Sequence, residues 1–182
     1  TEPAVERDKN FAKPDVGTVN LQGDAPLPPP WVLEAAAAAM KADPALKLAP
    51  PAVALSEDAL DKLSEAKRRG EVGGTTVVFD KAMNALYFSK AIIPFKRENT
   101  GLPIYKHIGL YAYRFDTLSE LVALDPSPLE LTESLEQLRA LENGIPIRVV
   151  LTEYRGRTPY SVDSPRDADV AADIIAREGE IL

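Results

Sequence analysis

Two aspartates, a basic pair and a single histidine are the residues of this chain best placed to do chemistry. Asp24 lies in Asn20-Leu21-Gln22-Gly23-Asp24-Ala25-Pro26, directly after the short apolar stretch Val16 to Val19. An extended run that ends in Gly-Asp sets a carboxylate at the carboxyl tip of a strand, the edge where ligands sit in open α/β sheets. There Asp24 can hold a divalent metal, and Gly23 lets a ligand approach the backbone. The same dipeptide is also ordinary turn chemistry. Asp163 stands just before Ser164-Pro165, which reads as a helix start. It either satisfies backbone donors at that start or joins Asp24 around one Mg²⁺, an ion held by one or two carboxylates plus phosphate oxygens and waters.

Lys90 and Arg97 follow the strand-like Ala85-Leu86-Tyr87-Phe88-Ser89. In an acidic chain such a pair either receives a carboxylate or phosphate or is a solvated loop end. His107 is the only histidine. On a strand, His107, Gly109, Tyr111 and Tyr113 share one face, with Gly109 leaving its middle open. That is a sugar-binding surface or, more plainly, a half-buried strand with its hydroxyls at the rim. Glu136 and Gln137, flanked by Leu135 and Leu138, either point a carboxylate and an amide at ligand hydroxyls or form plain helix surface. Gly73-Gly74-Thr75 enters a strand, not a helix, and makes a poor phosphate cradle.

These residues must be carried by elements that the sixteen prolines help to mark. Val16 to Gln22 reads as a buried strand. Pro28-Pro29-Pro30 opens a helix from Trp31 to Ala42, which Asp43-Pro44 ends. Leu46 to Leu55 is extended but interrupted by Pro50-Pro51, which predicts an edge strand. Ser56 caps a helix carrying Leu60, Leu63 and Ala66, with Gly70 past its end. Thr75 to Phe79 and Leu86 to Ser89 flank a turn at Lys81 to Asn84 and form a hairpin. Ile104 to Arg114 alternates as one aromatic strand. Phe115 to Leu124 is a short helix, and Ser127-Pro128 starts a longer one running to Glu142. Ile145 to Thr152 is a strand. A final helix after Ser164-Pro165 turns Val170, Ala171, Ile174 and Ile175 inward. Strands alternating with helices imply a layered α/β fold with an antiparallel insertion.

Composition bounds the function. The 182 residues suit a single domain, with a hydrophobic fraction of 45% to fill a core. The 21 basic and 28 acidic residues give a net charge of -7, which argues against a general nucleic-acid binder. With no cysteine, disulfides, thiolate metal sites and cysteine nucleophiles are excluded. A lone histidine argues against a serine triad. No apolar run approaches the ~20 residues that span a bilayer, so no membrane partner is expected. Nothing resembles an export signal, and the cytoplasm is the expected location. The polar opening Thr1 to Asp15, without an initiator Met, reads as a truncated N-terminus.

The ordered set of these stretches resembles the CMP-Kdo synthetases (3-deoxy-manno-octulosonate cytidylyltransferases). The resemblance rests on Asn20 to Pro26, Ala85 to Pro94, His107 to Tyr113, Pro126-Ser127-Pro128-Leu129-Glu130 leading into Leu135-Glu136-Gln137-Leu138-Arg139, and Val162-Asp163-Ser164-Pro165. It runs over nearly all the chain from residue 16. It implies a nucleotide-diphospho-sugar transferase-like, Rossmann-like α/β fold and a homodimer. The implied reaction joins CTP and the acidic sugar Kdo to give CMP-Kdo and pyrophosphate, for lipopolysaccharide synthesis, with Mg²⁺ as cofactor. By motif, Asp24 and Asp163 would be metal ligands and catalytic. Gln22, Lys90, Arg97, His107, Tyr111, Glu136 and Gln137 would line the sugar site.

Two departures stand out. Lys90 replaces the arginine usual in the family's Tyr-Phe-Ser-Arg stretch, keeping charge but losing bidentate geometry. The family's opening loops, which hold the triphosphate and read cytosine, do not occur in these residues, so the chain reads as the C-terminal part of a cytidylyltransferase domain. Pro28 to Trp31 and Arg69 to Thr76 resemble a side branch of the family. A cytidylyltransferase for another sialic-acid-like sugar, or a non-catalytic acidic-sugar-binding or dimerisation module, are the alternative readings.

Overall fold

Prolines and residues with positive φ decide where this chain turns. The computed structural model describes residues 17–21, 28–158, 160, 162 and 165–179. In chain order the elements are β1 (Thr18–Leu21), α1 (Pro30–Ala42), β2 (Leu48–Ala49), β3 (Pro51–Ala54), α2 (Glu57–Arg68), β4 (Thr76–Phe79) and β5 (Ala85–Ser89). They continue with β6 (Tyr105–His107), β7 (Leu110–Tyr113), α3 (Phe115–Val122), α4 (Pro128–Glu133), α5 (Gln137–Glu142), β8 (Val150–Thr152) and α6 (Pro165–Glu178). A three-stranded sheet has the order β1-β7-β2, and a five-stranded sheet the order β5-β4-β6-β3-β8. All pairings are antiparallel except β3 with β8. This is the expected layered α/β architecture, with a mixed central sheet.

The expected hairpin forms, with β4 and β5 joined by a turn that Asp80 organises. Its carboxylate accepts from the backbone N–H of Ala82 and of Asn84, each at 2.8 Å. The expected helices α1 and α2 form too, and Ser56 Oγ accepts from Ala59 N at 3.3 Å at the start of α2. On α1 the buried stripe Val32, Ala36, Met40 has the four-residue spacing of one helix face.

Five expectations change. Leu46 to Leu55 is not one edge strand: the chain leaves the small sheet at Pro50, and β3 lies inside the large sheet between β6 and β8. Pro51, as the first residue of β3, has no N–H to contribute, but its carbonyl accepts from Ile108 N at 3.1 Å. Ile104 to Arg114 is likewise two strands, β6 in one sheet and β7 in the other, divided at Ile108-Gly109. The helix expected from Ser127 to Glu142 breaks at Ser134, whose φ of 52° is left-handed, into α4 and α5. β1 is exposed along its whole length rather than buried, because it forms the edge of the small sheet. Gly17 enters it with φ 87°, where a Cβ would meet the Tyr113 carbonyl oxygen at 2.0 Å. Of the apolar positions expected inward on α6, Ala171 and Ile174 are buried and Ile175 is exposed.

Two cores result. β7 is buried on both faces, and its alternation divides it between them. Tyr111 and Tyr113 join Leu48, Val77, Phe88, Leu121, Leu138 and Ile147 in one core, on the side of α3 and α5. Leu110 and Ala112 join Val32, Ala36 and Met40 of α1 in the other. Arg114 ties that helix down: its guanidinium donates to the carbonyls of Met40, of Leu46 at 3.2 Å and of Asp43 at 3.2 Å. A cation at a helix C-terminus also opposes the negative end of the helix dipole.

Candidate functional site

The break between β6 and β7 carries the chain from one sheet to the other while keeping two polar side chains in contact. His107, the last residue of β6, lies 2.8 Å through Nε2 from the Tyr111 hydroxyl of β7. Tyr111 donates in turn to Gln137 Oε1 of α5 at 3.1 Å. A phenol has one proton, so the His107 tautomer is set by whether Tyr111 gives that proton to Gln137 or to the ring. His107 Nδ1 and Gln137 Nε2 are buried.

Of the two readings of this face, the open sugar surface and the strand packed into the interior, the second is the one that forms. His107 is 8% exposed, Tyr111 5%, Tyr113 5% and Gln137 4%. Phe88 packs edge-on against the imidazole at 5.3 Å between ring centroids, and Tyr111 stacks on Tyr113 at 5.8 Å. Burial lowers the His107 pKa to about 4, because a charged ring would lose its hydration, and the charges of Lys90 and Lys106 act in the same sense. The Pro51 carbonyl, whose second lone pair remains after Ile108 N donates, opposes the shift. The ring is neutral at pH 7. Burial also raises the Tyr113 phenol well above its usual range, with the charge of Glu136 adding to the effect.

Around this interior chain sit the more accessible groups. Lys90 is half-buried on the turn that follows β5, and that turn is pinned from two directions. Glu133 of α4 accepts from Ser89 Oγ at 2.7 Å and from Lys90 N at 2.9 Å. Thr76 Oγ1 donates to Ala91 O at 2.7 Å and accepts from Ile93 N at 3.1 Å. Glu136 is exposed at the start of α5, beside buried Gln137. A half-buried ion pair holds α5 against α4: Arg139 Nε donates to Glu130 Oε2 at 2.7 Å, and Nη2 reaches Oε1. Glu130 is held below the usual carboxylate range by those Arg139 hydrogen bonds.

His107, Tyr111 and Gln137 are therefore brought together, Lys90 borders them, and Glu136 adjoins Gln137. Arg97 is exposed on the loop between β5 and β6, and no hydrogen bond joins it to this group among the described residues. Gln22, Asp24 and Asp163 lie outside the described residues. Among the described residues no group of three or more histidines or carboxylates is arranged to hold a metal. The donor chemistry of Asp24 and Asp163 is that of a hard cation such as Mg²⁺, which needs only one or two carboxylates from the protein. Sequence reasoning missed Glu133 and Thr76, which shape the Lys90 turn. Glu133 stands 44 residues from Ser89, and no local pattern announces such a contact.

A family model described as cytidylyltransferase matches residues 4–149. The 3-deoxy-manno-octulosonate cytidylyltransferase of Maricaulis maris is 56% identical over 183 residues, covering 100% of this chain and 71% of that protein. The protein of the same name from Phocaeicola vulgatus is 44% identical over 170 residues, covering 89% of this chain and 64% of its own length. A solved structure of CMP:2-keto-3-deoxy-manno-octonic acid synthetase complexed with CTP has a TM-score of 0.73 at 35% identity. That match covers 88% of this chain and 61% of the solved one, so the chain spans about two thirds of the length of these relatives. The fold and the matches define a nucleotidyltransferase of the cytidylyltransferase class. More narrowly, the chain belongs to the 3-deoxy-manno-octulosonate cytidylyltransferase family. Among the described residues no helix is long and apolar enough to cross a membrane.

Proposed function

We propose that the protein carrying this chain joins CTP and Kdo, giving CMP-Kdo and pyrophosphate. The observation that carries this reading is the 56% identity with the Maricaulis maris cytidylyltransferase along the whole chain. In the reaction the sugar's anomeric oxygen bonds to the α-phosphorus of CTP. The bond from that phosphorus to the β-phosphate bridging oxygen breaks, pyrophosphate departs, and the hydroxyl proton is released. Two anions must meet, so positive charge and fixed orientation supply much of the rate.

The residues divide the work. Lys90 and Arg97 offer positive charge to the sugar acid. The neutral His107, Tyr111 and Gln137 form a rigid polar wall that backs the sugar site. Glu136 adds an acceptor at the entrance. Asp24 and Asp163 would hold Mg²⁺, which neutralises phosphate charge when bound. A homodimer in the cytoplasm, making CMP-Kdo for lipopolysaccharide synthesis, completes this reading. Lys90 in place of the family's arginine favours one variant of it, transfer to another sialic-acid-like sugar.

The test is pyrophosphate release by the full-length protein with CTP, Mg²⁺ and Kdo. Turnover with Kdo supports the reading. Silence with Kdo and turnover with another sugar acid selects the variant, and silence with both rejects the function. Asp24→Asn and Asp163→Asn should each abolish turnover with the melting temperature nearly unchanged. Wild-type rates in either would remove that residue from the metal site, and a lowered melting temperature in Asp163→Asn would mark it as a helix cap.

A further inference from the structure

Three half-buried lysines gather at one end of the large sheet, an arrangement uncommon for a side chain that is usually solvated. The strand register places them. Thr76, the first residue of β4, pairs with Ser89 at the end of β5 and with Lys106 near the end of β6. Lys90 follows Ser89 directly. Lys67, from the last turn of α2, reaches the chain entering β4 from the other side: its Nζ donates to Val72 O at 3.2 Å and to Gly73 O. Gly74 closes that approach, because with φ 78° a Cβ there would meet Leu63 Cδ1 of α2 at 2.5 Å.

The three ammonium groups feel one another. Burial lowers the Lys67 pKa, and the charges of Lys90 and Lys106 lower it further, while Glu133 and Glu71 act in the opposite sense. Neither carboxylate neutralises the group by direct pairing. Glu133 is engaged by Ser89 Oγ and Lys90 N, and Glu71 by Arg69 at 3.0 Å. Two of the three Lys67 donors go to backbone carbonyls of the chain entering β4, which leaves one N–H on a cation that feels the charge of Lys90. Like charges held this near one another are relieved by an anion.

We propose that Lys67 is a binding residue for the acidic sugar: it shares the sugar carboxylate with Lys90 and sets the preference for a sugar acid over its uncharged form. This rests on the proposed sugar-acid chemistry of the site. It assigns a role to the long helix α2, whose end delivers Lys67, and it supplies a second point charge where Lys90 alone lacks an arginine's two-pronged grip.

The test uses the full-length protein and compares binding of Kdo with binding of its methyl ester by calorimetry, in wild type, Lys67→Gln and Lys67→Arg. Wild type is expected to favour the acid. Lys67→Gln, which removes the charge and keeps a polar head, should weaken acid binding roughly tenfold, with ester binding unchanged. Lys67→Arg should restore most of the preference, and the KM for CTP should stay constant throughout. Lys67→Met, which keeps the aliphatic stem, serves the same comparison if Lys67→Gln does not fold. Equal acid binding by wild type and Lys67→Gln would overturn the assignment while leaving the Kdo reaction standing. Parallel loss of acid and ester would reduce Lys67 to a support for residues 72–73 and also overturn it. If wild type binds a different sugar acid but not Kdo, the same comparison with that acid decides Lys67, and only the choice of Kdo fails. If wild type binds no sugar acid, both fall.

Discussion

The polar wall and the basic rim of this site are built by opposite means. His107, Tyr111 and Gln137 come from β6, β7 and α5, are almost fully buried, and are fixed by contact with one another. Lys90 and Lys67 stand on a turn and a helix end, half in solvent, and are fixed through backbone groups. Buried neutral groups give geometry that the solvent cannot relax, and half-exposed cations give charge at little folding cost. Substitutions in the wall should therefore change stability, and substitutions in the rim should change affinity.

The largest effect is expected at Arg139→Met. It strands the Glu130 carboxylate, whose side chain is 12% exposed, and frees α5 from α4. We expect a loss of about 3 kcal/mol in chemical denaturation, with sugar binding weakened because Gln137 moves with α5. An unchanged denaturation midpoint would break the comparison at its base. His107 gives an effect of similar size through pH. Its folded pKa, about 4, lies below the ordinary imidazole value of 6.5, so between these values the unfolded chain takes up the proton and the folded one does not. The stability this group contributes is complete above pH 6.5 and is lost as pH falls towards 4, by about 3 kcal/mol at most. His107→Gln should flatten that part of the stability profile, and an unaltered slope would place the titration elsewhere.

Tyr111→Phe removes the middle of the trio and leaves His107 Nε2 and Gln137 Oε1 unpaired, at about 1–3 kcal/mol by thermal or chemical unfolding. The smallest change belongs to the rim. Lys90→Arg should lower the KM for the sugar acid by roughly threefold through a second hydrogen bond, with the melting temperature unmoved. A shift in melting temperature there, or none for Tyr111→Phe, would reverse the division.

Local signals were legible and long-range ones were not. Prolines and caps place α1 and α2, and Asp80 with its turn marks the β4–β5 hairpin. The alternation of residues 104–114 correctly puts His107 and Tyr111 within reach of each other, but it conceals a change of sheet between them. Pro50-Pro51 announces an interrupted strand, yet whether the second half lies at an edge or inside depends on partners 50 and 100 residues away. The left-handed Ser134 has no glycine to betray it, so the helix from Ser127 to Glu142 looks continuous in sequence. At His107 and Tyr111 the half-buried strand was readable, and what the sequence did not show is that Phe88, Tyr113 and α5 complete the burial by tertiary packing.

Two of the chain's crossings between the sheets are direct, at Pro50-Pro51 and at Ile108-Gly109, and these two are stitched by the Ile108 N to Pro51 O bond. His107 sits on one side of that seam and Tyr111 on the other, so their 2.8 Å contact is a fastening between layers as well as part of a wall. Loss of that one contact would therefore loosen the seam between the two sheets as well as the wall.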